Sequence, residues 1–403
     1  MLETIHEFAH ERLTASGEAD AIHHRHAQYY LSLAERAEVE LHRSAQQAWH
    51  KRLDAELDNL RAAMGWTLKQ SQHECAVRIA MALWLFWWTH GYWREGLQWL
   101  EKGLAGVGPI PDAVRAKALT RTGWLTRELG DYPRAIAMLQ ESLALWRQID
   151  DQAGIALTLS NLGTIAFRQG DYTGATAMLE EALKLRRRLG DQYGTYATLM
   201  SLGLAESEQG HNERAIELYS ESLALARAAA DDEYVAMILD NLGEVYTNQG
   251  DYDRAEACYA EAAPIYQRLG GYAEEVYVSR GRGVVALKQG NHARAFDLLA
   301  ETISVFQELG DKEYMLLNIE RLAAVAKEQH RPDRAARLLS AGESLHKEIG
   351  VARSPVNQAD YDACLASVRS QLGEAAFAVA WAEGSTMTLE QAVAYAADRS
   401  DQV

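Results

Sequence analysis

A fixed interval of 40 residues constrains this chain more than any other feature. Gly123, Gly163, Gly203, Gly243 and Gly283 keep it. Gly130, Gly170, Gly210, Gly250 and Gly290 keep it seven residues later, and Ala135, Ala175, Ala215, Ala255, Ala295 and Ala335 keep it again. A recurrence of this size specifies small units, each leaving an apolar face open until the next unit stacks on it. The pattern predicts an all-α array. Such arrays hold partners on extended surfaces, so recognition is expected before catalysis.

An array needs no single large core, which suits a chain of 403 residues, and its six prolines leave long helices uninterrupted. The formal charge of -17 argues against direct nucleic-acid binding, which draws on clustered Lys and Arg. Cys75, Cys258 and Cys364 stand far apart with no metal-ligand spacing, and MLETIHEFAHERL carries charge where a signal peptide has an apolar core. A cytoplasmic protein is expected. The apolar run Ala76 to Trp88 contains Arg78 and is shorter than the ~20 residues of a spanning helix, so a buried helix and no membrane association are expected. Eight of the ten tryptophans fall between Trp49 and Trp124, where the densest aromatic packing should lie. An aromatic ligand cage is the alternative use of that cluster.

Leu239 to Gly270, LDNLGEVYTNQGDYDRAEACYAEAAPIYQRLG, displays one unit. Leu239, Leu242, Gly243 and Tyr246 follow the spacing i, i+3, i+4, i+7 and share a helix face. Gly243 admits a close neighbour. Gly250 and Asp251 break the helix, Asp251 is positioned to cap the next one, and Ala255, Tyr259 and Ala262 point inward from it. This arrangement resembles the tetratricopeptide signature, with Leu for the usual Trp and Tyr for the usual Phe. The resemblance implies a right-handed α-α superhelix of 40-residue helix-turn-helix repeats. Longer helices, and turns such as LGDQ at Leu189 to Gln192, account for a period above 34.

The resemblance also orients the helices. The second helix of each unit faces outward, so the series Arg134, Arg214, Arg254, Arg294 and Arg334, and the series Glu141, Glu181, Glu221, Glu261 and Glu301, read as a solvated face. First helices would line the groove with Trp124, Arg127 and Glu128, then Asn161, Thr164, Phe167 and Arg168, then Ser201, Leu204 and Glu208. Asp240, Asn241, Glu244, Asn248, Arg280, Val284 and Lys288 would continue it. In related peptide-binding arrays an asparagine at the place of Asn161 and Asn241 holds a ligand backbone. Tying one helix to the next is the other use of such an amide.

Leu2 to Ala37 looks like the junction that follows the nucleotide-binding and winged-helix segments of bacterial signal-transduction ATPases with numerous domains, the AfsR and MalT-like regulators, and Trp49 to Trp66 and Leu83 to Leu100 are similar to the helices that open their sensor region. Ala335 to Gly350 and Leu372 to Ala397 resemble their closing segment. No G-x-x-x-x-G-K-[ST] loop occurs, so the parent ATPase's phosphate cradle is missing from this sequence. Gly281, Gly283 and Ala286 spell G-x-G-x-x-A, but inside a repeat helix and without the strand a dinucleotide site requires. His6, Glu7 and His10 form H-E-x-x-H, the best enzymatic lead; its longer metalloprotease continuation is absent and no third ligand stands out. His23, His24 and His26 read as a loop entering a helix at Tyr29.

The sequence thus predicts a Trp-rich helical segment at 1-111, an array of about six repeats at 112-350, and a helical cap at 351-403. It implies a non-catalytic binding scaffold without a cofactor or metal, acting as the sensor region of a regulator. A free-standing adaptor holding a client peptide is the alternative. The expected partner is a protein or peptide, or a small effector, with the oligomeric state left open.

Overall fold

The computed structural model describes residues 12–13, 15–41, 46–106, 109–270, 272–349 and 353–399, and His6, Glu7 and His10 lie outside them. The described residues form helices and no strand. Five helices come first: α1 (Ala19–Glu40), α2 (Gln46–Lys69), α3 (His73–Ala82), α4 (Trp84–Thr89) and α5 (Trp93–Leu104). The periodic region supplies α6 (Asp112–Glu128), α7 (Tyr132–Gln148), α8 (Gln152–Arg168), α9 (Tyr172–Leu189), α10 (Gln192–Glu208) and α11 (Asn212–Ala228). It continues with α12 (Asp232–Gln249), α13 (Tyr252–Leu269), α14 (Tyr272–Lys288), α15 (His292–Leu309), α16 (Lys312–Glu328) and α17 (Pro332–Ile349). Three helices close the chain: α18 (Pro355–Leu372), α19 (Glu374–Gly384) and α20 (Leu389–Ala397).

Turn chemistry explains why the period holds. A capping carboxylate or amide opens one helix after another: Asp131, Asp171, Asp191, Asp231, Asp251, Asn291 and Asp311 each accept the backbone N–H three residues on. Just before such caps the chain turns through the left-handed region, at Gly250 and at Gly290, each with φ +79°. Inside the unit, Gly243 faces the ring of Tyr259, where a Cβ would come within 2.5 Å of it. The small residue therefore sets how closely α12 and α13 approach, as the spacing predicts.

The chain divides into two compact units, residues 1–165 and 166–403. In the first, Leu53, Leu60, Met64, Ile79, Phe86 and Trp87 form the buried core, with Trp49, Trp66, Trp93, Trp99 and Trp124 packed on it. In the second, Tyr219, Tyr259, Leu239 and Leu242 belong to one buried cluster, and Phe296, Phe306, Leu316 and Ile319 to another. Among the described residues no helix is long and apolar enough to cross a membrane.

Three local expectations need correction. His23, His24 and His26 lie within α1 instead of a loop; His23 stacks on Trp66 at 6.0 Å and His26 tilts against Tyr30 at 4.6 Å, so ring packing holds the segment helical. The apolar run Ala76 to Trp88 is two helices broken at Leu83, where the Trp87 indole N–H donates to the Ala80 carbonyl at 3.1 Å, and Leu83 to Leu100 is interrupted again at Gly91, with φ +71°. Arg334 is only 3% exposed: it donates to the carbonyls of Tyr395 and Asp398 at 2.7 Å, because α20 covers the last outer helix. The other members of the two charged series behave as a solvated face, with half-exposed pairs such as Arg187 with Glu221 at 2.5 Å.

Candidate functional site on the first helices

In the first unit, α6 presents Trp124 between two other indoles, 5.6 Å from Trp84 and 4.7 Å from Trp88, both edge-on. Arg121 lies over Trp84 at 4.1 Å, and burial lowers its pKa. A guanidinium of the chain itself thus occupies the aromatic face. Arg127 pairs with Glu128 and donates to Asn161 Oδ1 at 3.1 Å. Asn161, 7% exposed, also donates to the Leu157 carbonyl at 3.0 Å. Its amide joins its own helix to α6.

In the second unit the first helices bring charged groups together. Arg280 of α14 is buried, donates to Glu244 of α12 at 3.1 Å and lies 5.1 Å from the ring centroid of Tyr314 on α16. Asp240 stands one helical turn before Glu244 on the same face. Burial pushes its carboxyl up to about 7, with Arg280 opposing and Glu244 reinforcing the shift. Glu208, at the end of α10, is likewise raised to about 7 by burial and by repulsion from Glu244, while the Ser354 hydroxyl hydrogen-bonds it and opposes the rise. Three carboxyl groups therefore share one guanidinium in a recessed place. Charging all of them is costly until another cation arrives.

Other sequence-named residues are placed as follows. Asn241 is half-buried beside this cluster, and Asn248 is exposed at the end of α12. Phe167 packs on Ala166, Ala175 and Ala205 and meets Tyr172 edge-on at 5.4 Å. Arg168 pairs with Glu313 at 2.8 Å, bringing the end of α8 to the start of α16. Lys288 faces Asp360 of α18 at 3.3 Å. Tyr314, Ser354 and Asp360 were missed by the sequence reading. Tyr314 begins a first helix whose phase was known; Ser354 and Asp360 follow Gly350, where the period has ended. Gly281, suspected of a dinucleotide role, is a packing position: a Cβ there would meet the Tyr259 ring at 2.4 Å. Among the described residues no three His, Cys, Asp or Glu side chains are grouped so that they could hold a metal ion.

Residues 115–149, 154–228 and 234–308 match tetratricopeptide repeat families. A stretch of 171 residues is 33% identical to proteins of Mycobacterium bovis and Mycobacterium tuberculosis whose names assign them provisionally as HTH-type transcriptional regulators. The match covers 40% of this chain and 19% of those relatives, so the chain spans about a fifth of their length. Among solved structures, a Rap protein complexed with competence and sporulation factor matches with TM-score 0.56 at 12% identity, over 86% of this chain and 98% of that one. A signal-transduction ATPase with numerous domains and a tetratricopeptide repeat sensor, from Pyrococcus horikoshii, matches with TM-score 0.51 at 15% identity, over 79% of this chain and 52% of that one. These likenesses show the fold, an all-α solenoid of tetratricopeptide type, and they agree with the resemblance drawn from the sequence.

Proposed function

We propose that this chain of tetratricopeptide repeats is the partner-binding, non-catalytic part of a larger bacterial regulator in the cytoplasm. Residues 112–350 serve as its array, with 1–111 as the entering segment and 351–403 as the cap. The first helices of the second unit capture a protein or peptide segment through a cationic side chain. One observation carries this reading: Glu244 pairs with the buried guanidinium of Arg280 at 3.1 Å, while Asp240 and Glu208, within range of the same charge, are both pushed up to about 7 by burial and by repulsion from Glu244. A Lys or Arg of a partner supplies the missing positive charge, and the half-buried amide of Asn241 is near enough in the fold to hold the partner's backbone. The likeness to regulators in Mycobacterium supports a role inside a longer signalling protein, where capture would favour one arrangement of the neighbouring domains.

The experiment is a positional-scanning peptide library applied to the purified chain and to the double variant Asp240→Asn, Glu208→Gln. Neither change removes the hydrogen bond between Arg280 and Glu244. Enrichment of Lys or Arg at one peptide position is expected, with about tenfold weaker binding by the variant, the scale of one charge-assisted hydrogen bond. Binding should strengthen between pH 6 and pH 8, as the two carboxyls ionise. Equal affinity of the variant, at unchanged circular dichroism and melting, would refute the reading.

A further inference from the structure

The chain carries a formal charge of -17, yet one of its cavities gathers Lys288, Arg321 and Lys327 beside Glu320, Glu328 and Asp360. The cavity measures about 420 Å³ and lies among α14, α16 and α18, lined by Lys288, His292, Arg321, Lys327 and Asp360. Small-molecule sites of this size are common at helix junctions. The charges inside it are unevenly shared. Lys327 is taken by Glu328 at 2.7 Å, and the lining Glu320 by Arg353 at 2.7 Å and His346 at 3.1 Å. Lys288 and Arg321 are left to divide a single carboxylate: Asp360 Oδ2 lies 3.3 Å from Lys288 Nζ and 2.7 Å from Arg321 Nη1. Arg321 spends its other nitrogen on Asn357 Oδ1 at 2.8 Å. Burial works against charge on Asp360, and the two cations together hold its carboxyl below the usual range.

Asp360 sits in the first two turns of a helix that begins beyond the repeats, so the carboxylate reaches the cavity from outside the array. Lys288 and Asp360 are 37% and 36% exposed, which leaves the pair within reach of solvent and of a solute. We propose that this cavity binds a small anionic metabolite, through a phosphate or carboxylate group of charge two or more, which displaces Asp360 from Lys288 and Arg321. A dianion balances the two cations better than one carboxylate does, and the rest of the cavity holds the remainder of the molecule. The site is separate from the acidic surface described above: Glu208, Asp240, Glu244 and Arg280 do not line it. Either reading can therefore fail alone.

Titration calorimetry with inorganic pyrophosphate and with citrate tests it on the whole chain, without peptide. Saturable binding of at least one is expected in the millimolar range or tighter; preference for pyrophosphate identifies a phosphate ligand, preference for citrate a carboxylate. Asp360→Asn removes the internal competitor while keeping an oxygen for Arg321, so it should tighten binding about tenfold. Lys288→Gln, at a part-exposed position where folding is not at stake, should weaken it by a similar factor. A structural role for Asp360 would give the opposite sign. Failure of both anions to bind wild type and Asp360→Asn, affinity in Asp360→Asn no tighter than wild type, or indifference to Lys288→Gln would overturn the proposal.

Discussion

The first helices of the two units carry similar residue types to different ends. On α6, Arg121 rests on an indole and Arg127 is shared by Glu128 and Asn161, so the charged groups there are satisfied within the chain. Between α10 and α14, three carboxyls have one guanidinium among them, and two of the three are pushed up to about 7. Spacing along the sequence is the same in both regions. What separates the two surfaces is the balance of charge across neighbouring repeats, which no single repeat contains.

The largest effect expected comes from what the matched glycines of the two units pack against. A Cβ at Gly243 meets the Tyr259 ring at 2.5 Å, and one at Gly123, in the first unit, meets Leu139 at 2.7 Å. A flat ring pinned in the core has nowhere to move, whereas an aliphatic side chain can change rotamer. Gly243→Leu should therefore cost about 3 kcal/mol and Gly123→Leu about half of that, read from urea melts. Equal costs would mean that the ring yields as readily as the leucine.

The electrostatic contrast is sharpened by two carboxyls of opposite behaviour. Glu95, in the first unit, receives two hydrogen bonds from Arg61 at 2.7 Å that hold it below the usual range despite partial burial. Its contribution is present above the unfolded value near 4.3 and is lost as the pH falls through the depressed native value. Asp240 has the reverse sign. Its native value is about 7, so the folded state binds the proton more tightly and loses stability as the pH rises from about 4 to 7. Asp240→Asn should accordingly stabilise the protein by about 1 to 2 kcal/mol at pH 8 and by little at pH 5. Glu95→Gln should destabilise it by about 0.5 to 1 kcal/mol at pH 7, since Arg61 is part-exposed and the pair is screened. Thermal melts across that range measure both, and a stabilising Glu95→Gln would erase the distinction.

What the sequence made legible follows the same division. The turn at Gly250 and Asp251, the inward Tyr259 and the outward pairs of the glutamate series all depend on residues within one repeat or its neighbour, and a period displays such relations directly. The site depends on encounters the period does not encode. Arg168 meets Glu313 across 145 positions and Lys288 meets Asp360 across 72, so two residues named as available to a ligand are already paired. Arg334 keeps its place in the arginine series and is nonetheless buried, because the array ends there and α20 lies over it. Repetition forecasts the interior of an array; its ends, and the charges facing one another inside it, depend on the particular chain.

The smallest effect expected lies in the turns, where the two units share one geometry but not one residue. Most repeats turn at glycine, but Ala230 in the second unit takes φ +54° and Asp150 in the first takes φ +56°. An alanine there crowds its Cβ against the following carbonyl, while the aspartate side chain bonds locally and tolerates the left-handed region. Glycine relieves the crowding but adds freedom to the unfolded chain, and the two effects nearly cancel when the crowding is slight. Ala230→Gly should therefore stabilise by about 0.5 to 1 kcal/mol, and Asp150→Gly should change stability by less than about 0.3 kcal/mol. A destabilising Ala230→Gly, measured by the same melts, would show that the turn costs nothing and that its usual glycine answers to some other constraint.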